Sequence, residues 1–98
     1  MNELNIFGLG GHSFVVQSIA KQLNYKNINL FDDNTDFKNL YNFRGNFQDL
    51  INFNKNQKFS NFIAIGDNKI RKEKLNILIK LNIKIISLID KSANIDED

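Results

Sequence analysis

Leu4-Asn5-Ile6-Phe7-Gly8-Leu9-Gly10-Gly11-His12-Ser13 is the stretch that decides the fold. Its first four residues form a short apolar run ended by glycine, which reads as a buried strand. Gly8 to Gly11 must be a turn. Val15, Val16, Ile19, Ala20 and Leu23 then recur at helical spacing, so a helix over 12–23 follows, with Asn24 as its stop.

The pattern continues outward from there. Ile28 to Phe31 reads as a second strand, closed by the turn cluster Asp32-Asp33-Asn34. Residues 34–46 are irregular, and Phe37, Tyr41 and Phe43 are expected to pack that stretch onto the domain. A short helix over 47–53 is expected with Asn46 as its cap. Phe59 to Ile65 reads as a third strand, again closed by glycine at Gly66. Asp67 or Asn68 then caps a helix running to about Leu81. Ile83 to Ile89 reads as a fourth strand, apolar on both faces.

Strands that alternate with helices imply a parallel sheet covered on both faces. Right-handed crossovers select an α/β fold, a small Rossmann-like sheet. The expected strands lie near 4–8, 28–32, 60–66 and 84–89, in spatial order 2-1-3-4. Residues 1–91 form the expected domain, and 92–98 a polar tail.

Bulk properties bound the function. The chain has 98 residues, the size of one domain, and 42% of them are hydrophobic, an ordinary globular fraction. A net charge of +2 with mixed signs gives no argument for nucleic acid or a membrane surface. There is no cysteine, so no disulfide and no thiolate chemistry. No apolar run approaches the roughly 20 residues that span a bilayer. Met1 to Gly8 carries no basic leader, so the expectation is a soluble, cytoplasmic protein. The abundance of Asn, Lys and Ile reads as the coding bias of an AT-rich genome.

The chemistry is expected at the carboxyl ends of the strands, where open α/β sheets bind ligands. Gly8, Gly10 and Gly11 let the backbone approach a ligand, and the free N–H groups of the following helix suit a phosphate. Ser13 stands where a dinucleotide fingerprint has its third glycine. A tight turn without a ligand is the alternative. Asp32 and Asp33 occupy the place of a ribose-binding acid, or else form a solvated turn. Gly66, Asn68, Lys69 and Arg71 fall at the same edge. Asn68 reads equally as a helix cap, and Lys69 and Arg71 as phosphate-reaching or merely solvated. His12 faces the expected ligand as a contact. With no nucleophile partner and no second histidine, no catalytic residue and no metal site are expected.

Together these motifs resemble one family, that of the sialic acid O-acetyltransferases and UDP-N-acetylbacillosamine N-acetyltransferases. Gly8 to Ser13 resembles its G-x-[GS]-G-H-[GS] opening. Leu30-Phe31-Asp32-Asp33 is similar to its strand end, and Ala64-Ile65-Gly66-Asp67-Asn68-Lys69-Ile70-Arg71 resembles its A-I-G-[DN]-N-x-x-R run. Ile86 to Ala93 looks like its L-I-H-x-S-A boundary, with Asp90 in place of the histidine. The resemblance implies a Rossmann-like domain that binds a UDP-linked amino sugar through Gly10, Gly11, His12, Asp32, Asp33 and Gly66. Gly8, Ser13, Asn68 and Arg71 are additional candidates. It further implies a left-handed β-helix of hexapeptide repeats beyond this chain. That second domain would supply the catalytic histidine, the acetyl-CoA site and a homotrimer.

Two other readings remain. One is a stand-alone nucleotide- or dinucleotide-binding module without catalysis. The other is a flavodoxin-like or receiver-like domain, which leaves the glycine turn unexplained.

Overall fold

The computed structural model of the chain describes residues 3–10, 13–55 and 59–86. Along the chain come β1 (Glu3–Phe7), α1 (Ser13–Gln22), β2 (Asn27–Phe31), a 3-10 turn (Thr35–Phe37), β3 (Phe43–Gly45), α2 (Phe47–Phe53), β4 (Ser60–Ile63) and α3 (Asn68–Lys80). All four strands run parallel, in the order β3-β2-β1-β4. The fold is therefore α/β with a parallel sheet, as the alternation of strands and helices dictates.

The expected neighbours of β1 are found on either side of it. β2 pairs with it from Glu3↔Asn27 to Phe7↔Phe31, and β4 from Leu4↔Ser60 to Phe7↔Ile63. Beyond β4 the chain returns with a parallel bridge, Asn61↔Ile85, and Ile86 N–H donates to the Asn61 carbonyl at 2.9 Å. That bridge is where the expected strand over 84–89 meets the sheet. Residues 87–98, including the tail and Asp90, lie outside the described residues.

One strand was not expected. Phe43-Arg44-Gly45 adds an edge to β2, with the register shifting between Leu30 and Phe31. Three residues ended by glycine carry no alternation to read, so hydrogen bonding alone defines this strand. Leu30 N–H donates to the Asn42 carbonyl at 3.0 Å and Asp32 N–H to the Gly45 carbonyl at 2.9 Å.

Right-handed crossovers sort the helices by direction of travel. The moves from β1 to β2 and on to β3 go one way across the sheet. The moves through α2 and α3 go the other way. α1 and Phe37 accordingly cover the face formed by Leu4, Ile6 and Leu30, with Val16 and Ala20 buried against it. α2 and α3 cover the opposite face, where Phe7, Phe31 and Ile63 pack on Phe47, Leu50 and Leu78. Phe37 and Phe43 are partly buried against the first cluster, as expected. Tyr41 is not: its side chain is 94% exposed.

The asparagines that read as compositional bias have structural work. Asn24 ends α1 in the left-handed conformation (φ 69), with Tyr25 N–H reaching back to the Ala20 carbonyl. Asn82 ends α3 the same way (φ 59), with Ile83 N–H on the Leu78 carbonyl. Short polar side chains tolerate this conformation, and the six-to-one hydrogen bond satisfies a terminal carbonyl. Asn46 caps α2 as expected, in a reciprocal capping box with Asp49.

Asn5, Asn29 and Asn61 form a line across the middle of the sheet. They are in register on adjacent strands and almost fully buried. Asn29 Nδ2 donates to Asn5 Oδ1 at 3.1 Å, and Asn5 Nδ2 to Asn61 Oδ1 at 3.0 Å. Arg44 Nε closes one end on Asn29 Oδ1, and the Asn54 amide closes the other on Asn61. Among the described residues every buried side-chain amide has a hydrogen-bond partner, which is the condition for a polar network in a core.

Candidate functional site

β1 and β4 are neighbours whose following helices lie on opposite faces. The crevice between their carboxyl ends is therefore the switch point of this sheet, where α/β folds bind ligands. The glycine turn after β1 and Ala64 to Asp67 after β4 border it, and the Asp pair after β2 lies on the other side of the glycine turn.

The glycine turn is built tightly against its neighbours. Gly8 has φ +106, and its N–H donates to the Phe31 carbonyl at 2.9 Å. A Cβ on Gly8 would meet the Ala64 carbonyl, so the first and third connections are in direct contact. Ala64 N–H donates to the Phe7 carbonyl at 2.7 Å. Leu9 is buried, and its N–H donates to Asp32 Oδ2 at 2.7 Å. Gly10 and Gly66 are exposed, and a Cβ on either would meet nothing within 4 Å. Gly11 and His12 lie outside the described residues, as does the Ser13 side chain; Ser13 itself opens α1.

The two carboxylates do different things. Asp32 is half-buried and ties the first connection to the second: Oδ2 holds the Leu9 N–H, and Oδ1 takes the Asn34 N–H at 2.8 Å. Asp33 turns toward the other face. Its Oδ1 accepts the Phe47 N–H at 3.0 Å, at the start of α2, and its Oδ2 lies 3.5 Å from Lys74 Nζ. Each carboxylate oxygen can accept more than one hydrogen bond, so Asp32 keeps acceptor capacity beyond these two bonds.

The Asp67 side chain caps α3, accepting from Lys69 N–H and Ile70 N–H. Asn68 is the first helical residue, not the cap, and its Oδ1 accepts from Arg71 Nη2 at 2.6 Å. Proximity to the third connection puts Gly66 at the crevice, while Asn68 and Arg71 are bonded to each other. Neither makes a hydrogen bond to the glycine turn among the described residues.

Lys74 is the residue that sequence reasoning passed over. Its Nζ sits 4.3 Å from the Phe47 ring centroid and 5.5 Å from that of Phe7, beside Asp33. The two rings meet edge to face at 5.0 Å. Its side chain is only 23% exposed. A signal was present: Ile70, Lys74 and Leu78 share one helical stripe, so a lysine stands among apolar positions.

The arrangement dictates which donors a ligand can use. The N–H groups of Gly8 and Leu9 are consumed by Phe31 and Asp32. The Gly10 N–H makes no hydrogen bond among the described residues, so a phosphate would be met from Gly10 onward, along the amino end of α1. Beside Leu9, the Asp32 carboxylate repels an anion and suits a hydroxyl or N–H donor. Among the described residues no group of His, Cys, Asp and Glu is arranged to hold a metal ion. No helix is long and apolar enough to cross a membrane.

No solved structure matches the chain. The family model that matches covers residues 3–78, which include the glycine turn, the Asp pair and the segment from Ala64 to Arg71. The chain therefore belongs to the PglD N-terminal domain family, the N-terminal domain of PglD-type sugar acetyltransferases.

Proposed function

We propose that this domain binds a nucleotide-activated sugar, a UDP-linked amino sugar, in the crevice between β1 and β4. The acetyl group would come from acetyl-CoA, held with the catalytic base by a β-helix domain of a trimeric, cytoplasmic enzyme of bacterial surface-glycan synthesis. The observation that carries the reading is the division of donors at the glycine turn. Gly8 and Leu9 are tied inward, Gly10 is open, and Asp32 offers an acceptor beside it. Such a crevice suits a ligand with phosphates at one end and hydroxyl or N–H donors at the other.

In this reading the diphosphate lies beside the Gly10 N–H, toward the amino end of α1; Gly11 and His12, outside the described residues, are its expected further contacts, His12 as a contact rather than a base. Ribose or base donors meet Asp32. Gly66 borders the ligand from the third connection. Asp33 acts at one remove, by holding the start of α2 and Lys74 in place.

Calorimetric titration of the chain with UDP, a UDP-sugar, NAD and acetyl-CoA tests this. UDP and the UDP-sugar should bind, and more tightly than the other two. Binding of NAD with no response to UDP would replace the reading with that of a dinucleotide-binding module.

A further inference from the structure

The helices on the Phe7 and Phe31 face of the sheet do not cover all of it. α2 has only seven residues, and a cavity of about 340 Å³ lies at the amino ends of the strands beyond it. Side chains alternate between faces along a strand, so Glu3 shares this face with Asn5, and Asn27 shares it with Asn29. Arg44 joins them. Phe43 beside it packs toward α1, and Arg44 Nε donates to Asn29 Oδ1 at 3.1 Å. Glu3, Asn27, Asn29 and Arg44 all line the cavity.

The two charges of this group are opposite and do not meet. Among the described residues the Glu3 carboxylate has no hydrogen bond and no ion pair, and the Arg44 side chain bonds only to Asn29. They stand on β1 and β3 with β2 between, two strand spacings or about 10 Å apart at the backbone. Asn27 and Asn29 floor the gap. Asn29 is 5% exposed and is held in turn by Asn5. The guanidinium is therefore anchored to a buried network through Nε. Its Nη donors, without a partner among the described residues, can fork onto a carboxylate.

We infer that this cavity is a binding site for a small α-amino acid in its zwitterionic form. The carboxylate of the ligand meets the Arg44 Nη donors, and its ammonium meets the Glu3 carboxylate and the side-chain oxygen of Asn27. The volume is at the small end of the range for small-molecule sites, roughly 300–1,000 Å³. A plain carboxylate leaves Glu3 unpaired and is repelled by it. A plain amine is repelled by Arg44 and by Lys26, which lines the cavity from the turn before β2. Only a ligand with both signs satisfies both ends. The crevice between β1 and β4 lies at the opposite ends of the strands, and none of the glycine turn, the Asp pair or Ala64 to Asp67 lines this cavity. Its occupancy does not depend on the nucleotide reading.

Amide-resolved NMR on the 15N-labelled chain tests this with three probes of similar size: L-alanine, propionate and ethylamine. Alanine should bind saturably and shift the amides of Glu3, Asn27, Asn29 and Arg44 and the Arg44 Nε–H, leaving Gly10 and Gly66 unmoved. Propionate, which lacks the ammonium, and ethylamine, which lacks the carboxylate, should each bind at least about tenfold more weakly. Arg44→Gln should weaken alanine about tenfold, with amides outside the cavity unchanged. Glu3→Gln should abolish the preference for alanine over propionate. Propionate or ethylamine binding as tightly as alanine, a Glu3→Gln chain that keeps the preference, shifts centred on Gly10 and Gly66, or no saturable binding would each overturn the assignment.

Discussion

A Cβ placed on Gly8 would stand 2.8 Å from the carbonyl oxygen of Ala64. The connections after β1 and β4 therefore touch through backbone, with no side chain between them that can give way. Gly8 also has φ +106, which a side chain disfavours. Gly8→Ala should lose about 2–3 kcal/mol of stability through strain and clash together. Gly10→Ala, with open space around it, should change stability by less than about 1 kcal/mol. Urea unfolding with unchanged slope measures both. Equal midpoints for the two variants would mean that the connections are not in contact.

The asparagine line across the sheet makes a graded prediction. Asn5→Leu leaves the Asn29 amide without its acceptor and removes one donor from Asn61 Oδ1. Asn61→Leu removes more, because Asn61 Nδ2 also serves Asn54 Oδ1 and the carbonyls of Phe59 and Lys84. The expected losses are about 2 kcal/mol for Asn5→Leu and about 3–4 for Asn61→Leu, since each orphaned buried group costs about 1–3 kcal/mol. Denaturant midpoints decide the order. If Asn61→Leu is the milder change, the line is packing, not a network.

Asp33 and Lys74 form a pair in which the two partners are unequal. Asp33 also holds the Phe47 N–H at the start of α2, whereas Lys74 contributes a partly exposed ion pair and its place over the Phe47 ring. Asp33→Ala should cost about 1–2 kcal/mol, the worth of a helix-capping acceptor. Lys74→Met keeps the apolar stem and should cost less than about 1 kcal/mol. Thermal unfolding of both variants checks the ranking; a reversal would place the energy in the ion pair.

Sequence patterning exposed what repeats and hid what does not. Leu4 to Phe7, Ile28 to Phe31 and Phe59 to Ile65 each announced a strand, because strands buried on both faces need continuous apolar runs. The caps at Asn46 and Asp67 were legible because side-chain acceptors at helix starts are a local choice. β3 was not legible, since Phe43 to Gly45 owes its pairing to Leu30 and Asp32 and not to its own residues. The Asn5, Asn29 and Asn61 line was hidden for a related reason. One asparagine in an apolar run looks like a flaw until its neighbours in register are known. At the candidate site, the placement of Gly8, Asp32 and Gly66 at one edge followed from topology. The roles of Asp33 and Lys74 did not, because they depend on how α2 and α3 pack.

Binding and folding can be separated at the glycine turn. Gly10 is exposed, its φ is not among the positive values, and an added Cβ meets nothing within 4 Å. A larger side chain there projects into the space that the proposed diphosphate needs, beside the one N–H of the described turn that is left open. Gly10→Val should therefore fold with a loss of only about 1 kcal/mol, yet weaken UDP at least about a hundredfold, close to 3 kcal/mol. Asp32→Ala should behave differently. It releases the Leu9 and Asn34 N–H groups together, so it should lower both stability, by about 1–3 kcal/mol, and UDP affinity. Paired calorimetry and urea unfolding on the two variants read both axes. Unchanged UDP affinity in a folded Gly10→Val chain would remove the phosphate from the amino end of α1, and with it the proposed orientation of the nucleotide.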